Sequence, residues 1–167
     1  EGILFMNAND EIIENKIDDL YMVFVINNQK YALSSKYIIE IIEMLPIAKV
    51  PFLPKYMKGI INLRSTIIPV MDARMRFDMD PIDYNERTCI IIIENKMDKM
   101  GLIVDAVNEV INISPNQSMK MNSNSNKEEC KQNFIQGVSE INNEIQLILD
   151  CDSLIEIVED INNGINE

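Results

Sequence analysis

Residues 59–74 read GIINLRSTIIPVMDAR, and this stretch decides the fold. Two isoleucine-rich runs, 60–63 and 66–71, flank Arg64 within it. β-Branched side chains pack well on a pleated surface, so both runs are predicted to be strands. Pro69 interrupts the second run and has no N–H to donate to a ladder, which predicts an edge or a bulge at that position.

Similar short apolar segments, separated by Asn, Asp, Pro and Gly, occur along the rest of the chain. This pattern predicts a mainly β protein with roughly nine or ten short strands, a number that suits two small barrels better than one open sheet. The further predicted strands are 21–26 and 30–33, joined as a hairpin at an Asn-rich break, then 87–94, 100–104, 107–113, 134–141 and 144–149.

Two other segments have helical features. Ser34–Ser35 offers an N-cap ahead of apolar residues at helical spacing, so a short internal helix is predicted over 35–42, with a switch to strand near Ile41. Asp152 is predicted to cap a C-terminal helix whose apolar residues lie within 154–158.

The chain is expected to have three parts, which are a flexible tail at 1–19, one folded domain at 20–158 and a second tail at 159–167. Met6 is a candidate native start, in which case residues 1–5 are an added leader. The domain is expected to comprise two β-barrel subdomains that divide near the polar connector 78–86. A second polar break, 114–132, contains an Asn/Ser loop at 122–126 that is expected to be exposed.

Composition excludes several classes of function. The chain has 167 residues, a net charge of -12 and no histidine. Fifteen basic residues against 27 acidic ones argue against nucleic acid as a partner, because a phosphate backbone requires a positive face. The lack of histidine removes the commonest general base and metal ligand, and the three cysteines show no CxxC spacing. We therefore expect no metal site. No apolar run reaches the ~18 residues of a membrane span, so we also expect no insertion into a membrane.

Three carboxylates leave an enzyme open as an alternative. Asp72, Asp105 and Asp150 each follow an apolar strand run. Catalytic carboxylates of glycosidases occupy such positions, although Asp at the end of a strand more often caps a turn. A carboxylate-based hydrolase would require two of them to converge about 5–10 Å apart in a pocket.

Two charged residues and the methionines each have two interpretations. Arg64 is either a strand-end residue in a surface ion pair worth ~0–1 kcal/mol, or an anchor whose planar fork binds a partner's carboxylate. Glu40, between two isoleucines, is a solvated residue by its own pattern. The eleven methionines fit an adaptable binding surface or flexible core filling. Composition alone favours the surface ion pair, the solvated glutamate and core filling.

Several motifs in series change this weighting. Residues 59–74 have the form GxxNLRxxxxPVxDxR. The other elements, in chain order, are IEI at 39–41, VPFLPKYMKG at 50–59, GLIVDAV at 101–107, FIQGV at 134–138 and LILD at 147–150. Together, over about residues 20–155, they resemble the CheW family of chemotaxis coupling proteins. The order of several elements makes the resemblance specific, whereas any one of them is weak.

The resemblance implies a fold and a role. The fold would be two packed five-stranded SH3-like β-barrels with a short internal helix and a C-terminal helix. The role would be non-catalytic and free of cofactors, coupling methyl-accepting chemoreceptors to the histidine kinase CheA in the cytoplasm, at chemoreceptor arrays. By motif position, Glu40 and Arg64 would bind the cytoplasmic tip of the receptor. Ile38 and Gly59 would lie at or near the side that binds the regulatory domain of CheA.

Two positions depart from the family pattern. Ser65 stands where the family has Gly, which predicts a different turn beside Arg64, and Ala73 stands where the family has Leu, which predicts looser local packing.

Within the same scaffold class, a CheW-like module of a longer CheV-type protein is the alternative.

Overall fold

A computed structural model describes residues 20–121 and 134–156 of the chain. Eleven strands lie in this part: β1 Leu20–Ile26, β2 Gln29–Ser34, β3 Ile38–Glu43, β4 Met57–Leu63, β5 Thr66–Asp72, β6 Cys89–Asn95, β7 Asp98–Val104, β8 Ala106–Asn112, β9 Ser118–Lys120, β10 Ile135–Ile141 and β11 Glu144–Leu149. The helical elements are α1, Ala73–Arg76, and α2, residues 151–156, with 3-10 turns at Ser35–Tyr37 and Pro115–Gln117. The mainly β prediction is confirmed.

The strands form two sheets. Sheet 1 has six strands in the order β8-β1-β2-β11-β10-β9, and sheet 2 has five in the order β3-β6-β7-β5-β4. Five strands were expected in each, and the extra one is β9, a three-residue strand within the polar break that the sequence predicted to be irregular. The sequence of β9 has little strand propensity, and its backbone pairing with β10 stabilises it as a strand.

The polar connector 78–86, near which two subdomains were expected to divide, does not separate the strands of one sheet from those of the other. Strands β6 and β7 follow that connector but return to sheet 2, where β7 pairs in parallel with β5. The N-terminal hairpin β1–β2 belongs to sheet 1, because it pairs with β8 on one side and with β11 on the other. Parallel pairing between segments that are distant in the chain leaves no mark in the composition. The polar connector therefore does not indicate to which sheet the strands after it belong.

Each sheet has its own apolar cluster and shares a larger one with the other sheet. Strand β6 shows this most directly: Ile90 and Ile92 point into a cluster within sheet 2, while Ile91 and Ile93 point into the large cluster between the sheets. Alternate residues of a strand face opposite sides, so β6 is buried on both faces, and this explains its unbroken apolar run. Full burial of each such side chain contributes about 1.5–3 kcal/mol.

The predicted internal helix is mostly a strand. Only Ser35–Tyr37 is helical, as one 3-10 turn, and Ile38–Glu43 forms β3. Exposure alternates along β3 and its backbone pairs with β6, so tertiary pairing overrides the apolar spacing that suggested a helix. The switch to strand therefore comes at Ile38, three residues before the expected position near Ile41.

The C-terminal helix is present but its predicted cap is wrong. Asp150, not Asp152, caps α2: one carboxylate oxygen accepts from the Asp152 N–H at 3.0 Å and the other from the Ser153 hydroxyl at 2.9 Å. The helix begins at residue 151, two residues earlier than a cap at Asp152 allows. Leu154 and Ile155 are buried as expected.

Several predictions fall outside the described residues, namely both tails, residue 158, Cys130 and the 122–126 loop. The predicted hairpin at the Asn-rich break is confirmed. Asn27 and Asn28 make the two-residue β1–β2 turn with φ of 51° and 61°. Pro69 lies on an inner strand and not at the predicted edge or bulge; it pairs with Ile60 of β4 but precedes the ladder with β7, which begins at Val70, so its missing N–H interrupts no bond on that side.

Candidate functional site

The β4–β5 turn positions Arg64. Arg64 and Ser65 occupy it with φ of 48° and 69°, so both residues adopt the left-handed conformation that a tight hairpin requires. The Ser65 N–H donates to the Asn62 side-chain oxygen at 2.9 Å, which fixes the turn. The Arg64 side chain projects from it and is 73% exposed.

Arg64 and Glu40 form a bidentate ion pair. The guanidinium donates from Nη1 to Oε1 at 2.6 Å and from Nη2 to Oε2 at 3.0 Å. Glu40 lies in β3 and Arg64 follows β4, the two strands at opposite ends of sheet 2, so the sheet curls until its ends meet. The hydrogen bond from Arg64 lowers the pKa of Glu40 and raises the pKa of Arg64. Solvent screens so exposed a pair, which makes it a weak source of stability and an available recognition feature.

A small pocket surrounds this pair. We call it the Arg64 pocket; it has a volume of about 200 Å³ and is lined by Ile39, Glu40, Leu63, Arg64, Thr66, Ile68, Ile92 and Lys99. Ile39 is 49% exposed, and Ile41, two residues along the same face of β3, is 38% exposed. Apolar side chains around a charged pair are the composition of a protein-binding patch more than of a catalytic cleft.

The structure does not bring Ile38 and Gly59 into the Arg64 pocket. Ile38 opens β3 and is half-buried against the large cluster between the sheets. Gly59 is buried in β4 at a bulge, with φ of 140°, and a Cβ there would lie 2.1 Å from the Ala48 carbonyl oxygen. The nearby backbone bonds between Ala48 and Ile60 hold this close approach. Gly59 therefore has a conformational role, which only glycine can fill.

The three carboxylates considered for hydrolysis have structural partners. Asp72 caps α1 through bonds from the N–H groups of Arg74 and Met75 and also accepts from the Tyr84 hydroxyl at 2.7 Å. Burial and this bond raise the pKa of Tyr84. Asp105 pairs with Arg74, and Asp150 caps α2. Their environments give the hydrolase alternative no support.

The Arg74–Asp105 pair links the two sheets. Arg74 donates from Nε and Nη2 to the Asp105 carboxylate at 2.9 and 2.8 Å, and the Asn27 N–H donates to the same carboxylate at 2.8 Å. Burial by itself would raise the pKa of Asp105, but these hydrogen bonds outweigh burial and leave the pKa below its usual value of 3.8. α1, the end of β7 and the β1–β2 turn are thus joined at one carboxylate.

The described residues contain neither a cluster of metal ligands nor a membrane-spanning helix. Within 20–121 and 134–156, no group of three or more His, Cys, Asp or Glu residues is arranged to hold a metal ion. No helix in this part is long and apolar enough to cross a membrane. Burial raises the pKa of the Cys151 thiol to about 12, so this thiol is inert at neutral pH.

Sequence reasoning identified Glu40 and Arg64 but not their pairing. Nothing in the spacing shows that β3 and the β4–β5 turn meet, because they are separated by the rest of sheet 2. The exposed Ile39 and Ile41 were also missed. The sequence IIEIIE does not alternate apolar and polar residues, so it gave no signal for them; only the alternating burial along β3 shows that Ile39 and Ile41 lie on its more exposed face.

Comparison with known proteins places these features in a family context. The model of the CheW-like domain family matches residues 20–159. The chemotaxis protein CheW of Bacillus subtilis is 34% identical over 100 residues, 60% of this chain and 64% of the relative. CheW of Klebsiella aerogenes is 27% identical over 97 residues, 58% of each chain. The chain thus matches about three fifths of the length of these curated relatives.

A solved structure shows the same fold. The crystal structure of the scaffolding protein TtCheW from Thermoanaerobacter tengcongensis superposes with a TM-score of 0.71. It is 31% identical in sequence, and the match covers 80% of this chain and 89% of that one.

Proposed function

The chain belongs to the family of CheW-like domains, and from that premise we propose that it is a non-catalytic adaptor that couples methyl-accepting chemoreceptors to the histidine kinase CheA. The proposed place of action is the cytoplasmic face of chemoreceptor arrays. The work is holding two partners in a fixed relation, which requires no proton transfer, metal or cofactor.

The observation that carries this proposal is the exposed Arg64–Glu40 pair in a pocket that Ile39 also lines, with Ile41 exposed further along β3. A receptor tip is a helical hairpin, and a helix docks by laying an apolar stripe against apolar side chains while polar groups set its register. The isoleucines supply the apolar contact, and the ion pair supplies groups that can be shared with the polar residues of a helix. Charge and shape in the Arg64 pocket therefore suit a helical partner.

The kinase side is proposed to lie near Ile38 and Gly59. Ile38 is half-buried at the start of β3, so part of its side chain is available to a partner. Gly59 would act indirectly, because it sets the bulge that orients β4 rather than offering a side chain. Coupling requires receptor and kinase to bind at the same time, so the proposal requires the contacts near Ile38 to leave the Arg64 pocket free.

Co-purification with a receptor-tip fragment and the regulatory domain of CheA tests the receptor face. Arg64→Glu places two carboxylates in contact with each other, and we expect it to weaken receptor binding by tenfold or more, the loss of roughly 1.4 kcal/mol or more that marks an interface anchor. Kinase binding and the thermal midpoint should stay near wild type. Arg87→Glu, an exposed change of the same charge in the connector before β6, is the matched control. A folded Arg64→Glu protein that retains the receptor tip would overturn the assignment.

The kinase face has its own test. Ile38→Ala should weaken binding of the CheA regulatory domain while receptor binding persists. Ile42→Ala, on the same strand but packed against the apolar cluster within sheet 2, controls for lost packing. Equal kinase affinity for the two folded variants would remove Ile38 from the proposed face.

A further inference from the structure

A second cavity lies at the far end of β5 from the Arg64 pocket. Arg64 precedes this strand and α1 follows it, so the two sites are separated by roughly 20 Å of strand. The cavity has a volume of about 480 Å³, within the range of small-molecule sites. Its walls include four aromatic rings and two thioethers, from Tyr31, Tyr56, Phe77, Phe134, Met75 and Met79.

The rings form a connected wall. Tyr31 stacks on Phe77 with centroids 5.4 Å apart, and Phe77 packs at a tilt against Phe134 at 5.6 Å. Tyr31 comes from β2, Phe77 follows α1 and Phe134 precedes β10, so the cavity lies where the two sheets meet. Such a wall offers flat apolar surfaces for a planar ligand.

Arg76 is the cation of this cavity. Its guanidinium carbon lies 4.4 Å from the centroid of Tyr56 and 4.1 Å from that of Phe134. Its Nε is buried without an acceptor, and among the described residues no carboxylate forms an ion pair with it. Burial lowers the pKa of Arg76, and the nearby Tyr56 and Asp78 act in the opposite direction without outweighing it. In a chain of net charge -12, a guanidinium that forms no ion pair within the described residues is unusual.

We propose that this cavity binds a small aromatic monocarboxylate, with the carboxylate on the Arg76 guanidinium and the ring against Phe77 and the Met75 and Met79 thioethers, because Arg76 already covers the faces of Tyr56 and Phe134. Among the described residues of the lining, Arg76 is the single cation, which favours one negative charge over a phosphate or a polyanion. Asp78, exposed and also in the lining, adds a repulsion that rises with ligand charge. Planarity follows from the rings, since flat rings stack on one another at low entropic cost.

A titration of the full chain with three probes tests the proposal. Phenylacetate carries both features, phenylacetamide keeps the ring without the charge, and acetate keeps the charge without the ring. We expect saturable binding of phenylacetate, roughly tenfold tighter than phenylacetamide, because a charge-assisted bond to Arg is stronger than a neutral one. Amide NMR shifts should map to residues 75–79 and 134–135. Equal affinity for the acid and the amide, no saturation, or shifts confined to the Arg64 pocket would each overturn it.

Variants separate this site from folding effects and from the adaptor role. Arg76→Gln should remove the preference for the acid over the amide, and Asp78→Asn should tighten phenylacetate binding. Arg76→Lys keeps the charge without the planar fork, so it should retain part of the preference for the acid. This variant provides the test if Arg76→Gln disturbs folding. Arg87→Gln, an exposed Arg outside the cavity, and Arg64→Glu should both bind phenylacetate like the wild type. Arg76→Gln binding both probes unchanged would sink the proposal and leave the adaptor function untouched.

Discussion

Arg64 and Glu40 meet side by side although their strands stand at the two ends of sheet 2. The pair has two parallel hydrogen bonds, the geometry in which a guanidinium matches a carboxylate best. Each residue is the other's charge partner, so a change at either one leaves the other unpaired at the surface. The two positions should therefore behave in binding experiments as one unit.

A double-mutant cycle tests this unit. Glu40→Gln and Arg64→Gln should each weaken receptor-tip binding, and the double variant should lose little more than the worse single variant, because both changes remove the same pair. Isothermal titration against the receptor fragment gives the three free energies.

The exposed Lys30–Glu144 pair in sheet 1 is the control for this cycle. Lys30→Gln and Glu144→Gln should leave receptor binding unchanged. If the losses at Glu40 and Arg64 simply add, the two residues contact the partner independently and the paired arrangement is irrelevant to binding.

Removing the Asp105 carboxylate should destabilise the fold. Asp105→Asn breaks the bidentate pair with Arg74, and both side chains are largely buried, with 22% and 13% exposure. We expect a loss of roughly 2 kcal/mol in the free energy of unfolding in urea, less than the value for a fully buried pair because some solvent reaches this one. Glu94→Gln is the control: its pair with Lys99 is 3.8 Å long and exposed, and should contribute no more than about 1 kcal/mol. Equal losses for both variants would contradict the role of Asp105 as the junction of the sheets.

The same junction predicts a pH dependence. The folded pKa of Asp105 lies below its usual value of 3.8, so the pair's contribution is complete above that value and is lost as the pH falls through the lowered pKa. Between neutral pH and roughly pH 5, Asp105 should therefore contribute no slope to the free energy of unfolding. Below pH 3.8 the wild type should lose stability faster than Asp105→Asn. Parallel acid-unfolding curves for the two proteins would refute this.

Strands whose apolar residues are continuous were predictable, and elements that depend on distant partners were not. β6 reads as a doubly buried strand because its isoleucines must fill two clusters. The six residues of segment Ile38–Glu43 fit the repeat of a helix as well as that of a strand, and only the pairing with β6 selects the strand. β9 has almost no apolar signal and exists because β10 offers a free edge. The Glu40–Arg64 contact was likewise invisible, since sheet closure is a property of the whole sheet.

Gly59 should be intolerant of any side chain. Gly59→Ala would force a Cβ to within 2.1 Å of the Ala48 carbonyl oxygen at a φ of 140°, so the backbone must move and the bonds between Ala48 and Ile60 should weaken. We expect a loss of roughly 2–3 kcal/mol in urea unfolding. Gly137→Ala is the matched control, because its Cβ would approach the Met119 carbonyl oxygen only to 3.0 Å at an ordinary φ. A loss at Gly59 no larger than at Gly137 would show that the bulge is not constrained as described.

Replacing Ser65 by the glycine of the family pattern should stabilise the protein. Its φ of 69° strains a residue with a Cβ by about 1–2 kcal/mol, and Ser65→Gly relieves that strain. The added freedom of glycine in the unfolded chain offsets about 0.4–1 kcal/mol, so the net gain should be roughly 0.5–1 kcal/mol in urea unfolding. The bond from the residue 65 N–H to Asn62 is made by the backbone and should survive. Asn143→Gly, in the β10–β11 turn at φ of 63°, should gain less because Asn tolerates this conformation. A Ser65→Gly protein that is no more stable than the wild type would mean that the turn beside Arg64 is already relaxed, and that the departure from glycine has no energetic consequence there.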